Sequence, residues 1–374
     1  MAAWRVESPL YANNATNIAV VGQGIFDGGG DAWRPVKKFN VSAFQWKDFI
    51  AEGGILNENQ TIWYPTKRAL LGSQQNEKAK SDSYDDAMSI KEYLRPVLLN
   101  FIQCKCIKLD GITLRNSPAW CLHPLMCEQM IINNVTVGNE SWAANGDALD
   151  LESCRNVLVT DCSFNAGDDG MCMKSGKNEE GRRRGIPTEN VIISGCTVYN
   201  GHGGFVVGSE MSGGIRNVFL TKCSFIGTDI GLRFKSTRGR GGEVENIYIS
   251  DVDMADIKDI AILYDLYYGG EKKDSILRTA DETTPRFHDI TMKNITCKGA
   301  KRAALFQGLP EMKLKNVLLE NAVIESDAGI EWVDAENIRM KNVSVYVKNA
   351  VPVIIKKERD IISSGLASDL MSAW

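Results

Sequence analysis

The sequence predicts an all-β fold, a solenoid of the parallel β-helix kind, and three observations predict it. A short strand recurs four times between Asn145 and Ser236, as DALDLES (147–153), DGMCMKS (169–175), GGFVVGS (203–209) and IGLRFKS (230–236). A second, longer-range repeat begins with Asn and alternates apolar residues, returning at intervals of about 21 to 34 residues, the mark of a stacked-coil architecture. Almost no segment carries the 3.6-residue period of a helix; the units are Val/Ile/Thr-rich and separated by Gly, Asn and Asp, which reads as strands and turns.

In chain order the first repeat is NIAVVGQGIF from Asn17. Residues 31 to about 95 then break the period, with a possible helix in VSAFQWKDFIAEG and a polar stretch holding Trp63, Tyr64 and Tyr84. Weak copies begin at Cys106 and Gln129, and clear ones follow at Asn156, Asn190, Asn217 and Asn246. A charged interruption covers 265–286, and weaker copies resume at Asp289, Asn316 and Asn337. Two or three strands per turn stacked in parallel describe a β-helix. Leucine-rich repeats are the rival, but the Leu-x-x-Leu-x-Leu spacing they need is absent. The expectation is one domain over 1–374 with two loops leaving the coil, and such loops often build a binding surface. The chain enters a coil almost at once, so either an N-terminal cap is missing or another element covers that end.

The 374 residues have a net charge of −4, which excludes general binding of nucleic acid. Positive charge is local, at Arg182–Arg184 and from Arg233 to Arg240. No apolar run approaches the ~20 residues of a membrane helix, and MAAWRVESPL lacks the features of a signal peptide. Cys162, Cys196 and Cys223 share a repeat position and read as small core fillers. Cys104, Cys106, Cys121, Cys127 and His123 do not have zinc-site spacing, while one or two disulfides are left open.

Side chains alternate faces along a strand. Laid over one another, the four strands place Leu149, Met171, Phe205 and Leu232 in one inward column, and Leu151, Met173, Val207 and Phe234 in another. The outward columns are Asp150, Cys172, Val206, Arg233 and Glu152, Lys174, Gly208, Lys235. Asp147 aligns with Asp169, and Asp168 with His202. Neighbouring strands lie about 4.8 Å apart, so carboxylates, an imidazole and cations converge on one patch. Stacked aspartates repel, and one should hold a proton near neutrality; ionised and protonated carboxyls together suit glycoside hydrolysis. Each motif alone has a plainer reading. Asp-Gly and Asp-Asp form turns, His202 suits a loop, and Asp150 and Glu152 suit solvated outward positions. Their alignment on successive rungs favours a site.

The series NGDALD, GDDGMCMKSG, NGHGGFVVGSEMSGG and LRFK resembles glycoside hydrolase family 28, the polygalacturonases. That family's pattern is Asn-Thr-Asp, Gly/Gln-Asp-Asp, Gly-His-Gly and Arg-Ile-Lys on a right-handed parallel β-helix. The resemblance covers most of residues 8–350. It implies that Asp168 is the general acid, that Asp147 and Asp169 hold and activate water for inversion, and that His202 tunes the acid. Arg233 and Lys235 match binders of the substrate carboxylate, and Tyr267 matches a substrate-contacting tyrosine. Lys174, in the column of Lys235, joins the substrate-binding candidates. Gly146 stands where the pattern has Thr and Phe234 where it has Ile, positions that carry no chemistry. GSEMSGG and RFKSTRGRGG resemble bacterial exo-acting members.

The resemblance implies a metal-independent, cofactor-free, inverting hydrolase of α-1,4-galacturonosyl links, monomeric and secreted or periplasmic, acting on pectic polysaccharide or oligogalacturonides. The rivals are a calcium-dependent pectate lyase on the same fold and a non-catalytic glycan-binding β-helix. An Asp168–His202 neighbour relation favours hydrolysis, since hard calcium prefers oxygen ligands. Exo action is expected. The 31–95 excursion, with Trp63, Tyr64 and Tyr84, would wall one end of a groove, and Arg182–Arg184, Arg238 and Arg240 would grip a terminal uronate.

Overall fold

The residues that open each predicted repeat share one backbone conformation. Asn17, Cys106, Gln129, Asn156, Asn190, Asn217, Asn246, Asp289, Asn316 and Asn337 all have φ between 52° and 61°. Asn tolerates this left-handed region better than most L-residues, and it bends the chain once per coil. The amides then stack: Asn190 Nδ2 donates to Asn156 Oδ1 (3.1 Å), Asn217 to Asn190 (3.2 Å) and Asn337 to Asn316 (2.7 Å). A second left-handed series, including Asp161, Lys222, Asp251, Asn294, Asn321 and Asn342, makes another bend.

The computed structural model describes residues 4–269 and 276–347, together with the backbone of Val353–Lys356 and Arg359–Ala367. The coils form a parallel β-helix. One side is an 11-stranded sheet, here the front, ordered along the chain from Leu10–Asn13 to Val353–Lys356. The other sides form a 16-stranded back sheet, whose paired strands merge from Ile215–Ile226 to Ala335–Val347 into single bent strands of 12 or 13 residues. The repeats predicted from Asn17 to Asn337 therefore lie on the back sheet, and the four aligned strands on the front.

The inward columns are as predicted, with Leu149↔Met171↔Phe205↔Leu232 and Leu151↔Met173↔Val207↔Phe234 in register. The second continues as a buried aromatic stack: Phe234–Tyr264 at 4.1 Å, Tyr264–Phe306 at 5.0 Å and Phe306–Trp332 at 3.6 Å between centroids. Cys162, Cys196 and Cys223 are buried core fillers, and all ten cysteines are free, which closes the disulfide alternative.

The 31–95 excursion joins the first coil to the second and has structure of its own. It contains a three-stranded sheet (Val36–Lys37, Ile62–Tyr64, Ile55–Leu56) and helices Ala43–Ala51, Lys67–Gln74 and Tyr84–Ser89. The predicted helix is the first, fixed by a Ser42–Gln45 capping box. Trp46, Trp63 and Trp142 form a small core, so Trp63 and Tyr64 are buried rather than free to stack on sugars. Tyr84 is exposed and meets Trp4 edge-on at 6.2 Å. Two arginines tie the excursion to the turns before the front strands. Arg34 donates to the Ser117 carbonyl (2.9 Å), and Arg95 to the carbonyls of Pro118 (2.9 Å) and Ala144 (2.7 Å) and to Asn145 Oδ1 (2.7 Å). Of the 265–286 interruption, residues 270–275 lie outside the described residues; beyond them, the Thr283 carbonyl accepts from Gly239 (3.0 Å) and Gly241 (2.8 Å).

Candidate active site

Four front strands carry the site: Leu149–Glu152, Asp169–Lys174, Gly203–Val207 and Ile230–Lys235. Asp147 and Asp169 sit at equivalent places, two before the Leu149↔Met171 pair. One residue earlier, the His202 amide donates to the Asp168 carbonyl (2.6 Å), and His202 Nδ1 lies 3.1 Å from Asp168 Oδ1. Asp147, Asp168 and Asp169 each place a carboxylate oxygen within 4.8 Å of the others. The predicted convergence of carboxylates, imidazole and cations is therefore present.

The electrostatics divide the aspartates. Asp169 is buried, which alone would raise its pKa, but Lys235 Nζ at 2.6 Å, Arg233 Nη1 at 3.3 Å and the nearby Lys174 outweigh burial and hold it far below the usual carboxylate range. Asp147 is pushed well above that range by burial, with Asp150 and Asp168 adding repulsion. Two neighbouring carboxyls thus differ sharply in how readily they ionise. The hydrogen bond to Asp168 pushes His202 above its ordinary value, against the opposing effect of burial.

Gly208 explains one gap in the outward lysine column. Its φ is +89°, and a Cβ there would stand 2.2 Å from the Lys235 carbonyl oxygen, so only glycine fits between Lys174 and Lys235.

Several expectations need correction. Asp150 is fully buried rather than solvated: Trp120 of a neighbouring turn and the loop bearing Glu210 meet its partner Lys174 from outside. Burial pushes Asp150 up to about 7, against the pull of Lys174. Glu152 is also largely covered. Burial opposes its ionisation, but His123 (3.0 Å) and Arg184 (2.8 Å) bring it down to about 2. Lys174, expected to bind substrate, is buried and contacts Asp150, Glu210 and Asp147 at 3.3, 3.5 and 3.9 Å. Tyr267 is 4% exposed and belongs to the core, with Arg238 over its ring. Tyr268 is the ring beside the site cations, 5.1 Å from Lys235 Nζ and 5.7 Å from the Arg233 guanidinium.

Arg238 and Arg240 tie loops together. Arg238 pairs with Glu311 (2.5 and 3.0 Å), and Arg240 donates to the Ser209 carbonyl (3.1 Å) and Asn178 Oδ1 (2.5 Å). The Arg182–Arg184 run lies on a helix, Asn178–Arg184. Arg182 holds the carbonyls of Gly239 (2.8 Å) and Arg240 (3.1 Å), and Arg184 holds Glu152. Arg183 lines a 1370 Å³ cleft on the front face with Arg5, Lys80, His123, Glu152 and others.

Glu210, Trp120, Arg95 and Tyr268 were missed as contributors. Only Glu210 had a signal, its place in the quoted GSEMSGG phrase; the others reach the site through loops that periodicity does not place. The three aspartates are close enough to share a cation, but Lys235 and Arg233 already occupy Asp169. Glu243, Glu245 and His288 form another close group on the back sheet, where His288 bridges Glu243 (2.9 Å) and Asp289 (2.7 Å) as part of an exposed charge ladder.

Stacked parallel coils that gather buried carboxylates beside fixed cations define a β-helical protein with an acid–base site. The chain belongs to glycosyl hydrolases family 28, whose sequence profile matches residues 81–348. It is 29% identical over 234 residues to a probable polygalacturonase of Vitis vinifera, covering 62% of this chain and 47% of that protein. It is 25% identical over 280 residues to an exo-poly-alpha-D-galacturonosidase of Dickeya chrysanthemi, covering 75% and 44%. Among solved structures it is similar to a hyperthermoactive exopolygalacturonase from Thermotoga maritima, with 27% identity, a TM-score of 0.71, and coverage of 92% of this chain and 73% of that one. The chain spans about half the length of these curated relatives.

Proposed function

We propose that the protein hydrolyses α-1,4-galacturonosyl links of pectic chains, releasing sugar from chain ends. The observation that carries this reading is the Asp168–His202 pair (3.1 Å) beside Asp147 and Asp169, with Arg233 and Lys235 on the adjoining rung. Asp168 protonates the leaving glycosidic oxygen, and His202 orients it. Asp147 and Asp169 hold the attacking water. Arg233, whose buried Nε has no acceptor among the described residues, provides the positive charge that a uronate requires, and Lys235, buried against Asp169, adds to that field.

Stereochemistry is the sharpest part of the proposal. Two-carboxylate inverting sites usually leave ~6.5–9.5 Å for the water, whereas here the nearest oxygens lie within 4.8 Å. Inversion therefore requires the water to sit in front of the Asp147–Asp169 pair, with three carboxyls dividing the work. Exo action is favoured by the similarity to exo-acting relatives. A secreted or periplasmic location belongs to the same reading.

Digestion of polygalacturonate in excess chelator tests it. The expected products are saturated reducing sugars, monomer or dimer from the start, with slow loss of viscosity. Calcium-dependent formation of an ultraviolet-absorbing unsaturated product would make the enzyme a lyase. A rapid viscosity drop with mid-length oligomers would make it endo-acting, and no turnover would leave a glycan-binding role.

A further inference from the structure

Behind Asp147 lies a second acidic group that the proposed reaction does not use. Asp150 is fully buried, and neither carboxylate oxygen has a hydrogen-bond partner among the described residues. Its nearest charge is Lys174, whose Nζ is 3.3 Å from Asp150 Oδ1 and 3.9 Å from Asp147 Oδ2. Asp147 is poorly held in its turn: its Oδ1 is buried without a partner. The same ammonium serves Glu210 at 3.5 Å, and the Trp120 ring covers it at 4.6 Å. Three carboxyls thus compete for one buried cation, although Arg240 also reaches Glu210 at 4.0 Å.

We propose that Asp150 and Lys174 are a buried positioning pair that orients Asp147 and governs when it carries charge. This rests on Asp147 being a water-activating carboxylate. The ammonium cannot satisfy both aspartates fully. While Asp150 is protonated, Lys174 is available to Asp147, which ionises and accepts a proton from water. When Asp150 ionises, it draws the ammonium away and adds repulsion. Other charged or titratable groups act on the pair. Asp169, Asp168 and Cys121 interact with Asp150; Cys172, His123 and Lys235 interact with Lys174. All of them remain in variants that remove only Asp150 or Lys174.

The two substitutions therefore push Asp147 in opposite directions. Lys174→Met removes its cation, so the acid limb of kcat/KM on polygalacturonate moves up by about one pH unit or more. Asp150→Asn removes a competing carboxylate while keeping the shape, so the limb moves down by about one unit; both shifts follow from an opposite or like charge at this range. Lys174→Arg keeps the charge, leaves the limb near its wild-type position, and stands in if Lys174→Met does not fold. Carbon-13 carboxyl titration of Asp147 in the free proteins reads the same shifts without turnover. Wild-type protein without activity on polygalacturonate refutes the assigned reaction, but the carboxyl titration still judges the pair. Limbs and titrations that stay put, or that move the same way in Lys174→Met and Asp150→Asn, overturn the proposal.

Discussion

The front and back sheets use the same stacking geometry for opposite ends. On the back sheet one outward column reads Lys105, Glu128, Arg155, Glu189, Arg216, Glu245, alternating in sign from coil to coil. Glu128 pairs with Arg155 at 2.9 Å, and Arg216 with Glu189 at 2.7 Å, in largely solvated positions. On the front sheet the column through Asp150, Cys172 and Val206 is buried and runs on to a half-buried Arg233, and its acid, Asp150, lies near other acids. Asp147, Asp150 and Arg233 keep buried atoms without partners. A solenoid repeats every side chain at close spacing, so any column becomes a ladder. The back ladders alternate charge or stack amides and support the coil. The front ladder concentrates unmet polar groups, a state that costs stability and suits a site waiting for substrate.

The largest break in this contrast is expected from Asp169→Asn. It leaves Lys235 and Arg233 facing a neutral amide in a buried place, which should cost about 3–5 kcal/mol of stability and remove at least ~10²-fold of activity. Denaturant melts and kcat together check it. Asp168→Asn should separate the two effects. Asp168 is only partly buried and has one side-chain partner among the described residues, His202, so turnover should fall by ~10²–10⁴-fold while the melt hardly moves.

His202→Gln should cost less, about tenfold in kcat, because in the proposed reaction His202 positions the acid rather than replacing it. Its folded pKa is raised, so the stability it adds is full below its unfolded value of about 6.5 and is lost as pH rises through the higher folded value. Melts from pH 5 to 9 should show that alkaline loss in the wild type and not in His202→Gln. On the back sheet, Asn217→Ala removes a left-handed asparagine and a rung of the amide ladder. It should cost about 1–2 kcal/mol and leave kcat unchanged. A kinetic effect there would mean that the two faces are coupled.

The same contrast explains what could be read from the chain. The bends were legible because a left-handed residue favours Asn locally, so Asn156, Asn190 and Asn217 mark themselves. Asp168 beside His202 was legible because register fixes neighbours once the strands align. Burial was not legible, since alternation gives the face of Asp150 and Lys174 but not what covers that face. Trp120 and Glu210 do so from loops with no period. The roles of Arg238 and Arg240 were hidden for a similar reason: Arg238 meets Glu311, 73 positions away. Residues 267 and 268 lie in the turn after the strand Ile260–Asp265, where no alternation tells one side chain's direction from the next; Tyr267 goes inward and Tyr268 stands by the cations.

The first sugar released tests hydrolysis at this site most directly. Proton NMR of trigalacturonate digested in excess chelator reads its configuration before mutarotation. Saturated galacturonic acid is expected to appear first as the β-anomer, opposite to the α-link cleaved. The α-anomer first would contradict water attack in front of Asp147 and Asp169, and an unsaturated product would contradict hydrolysis itself.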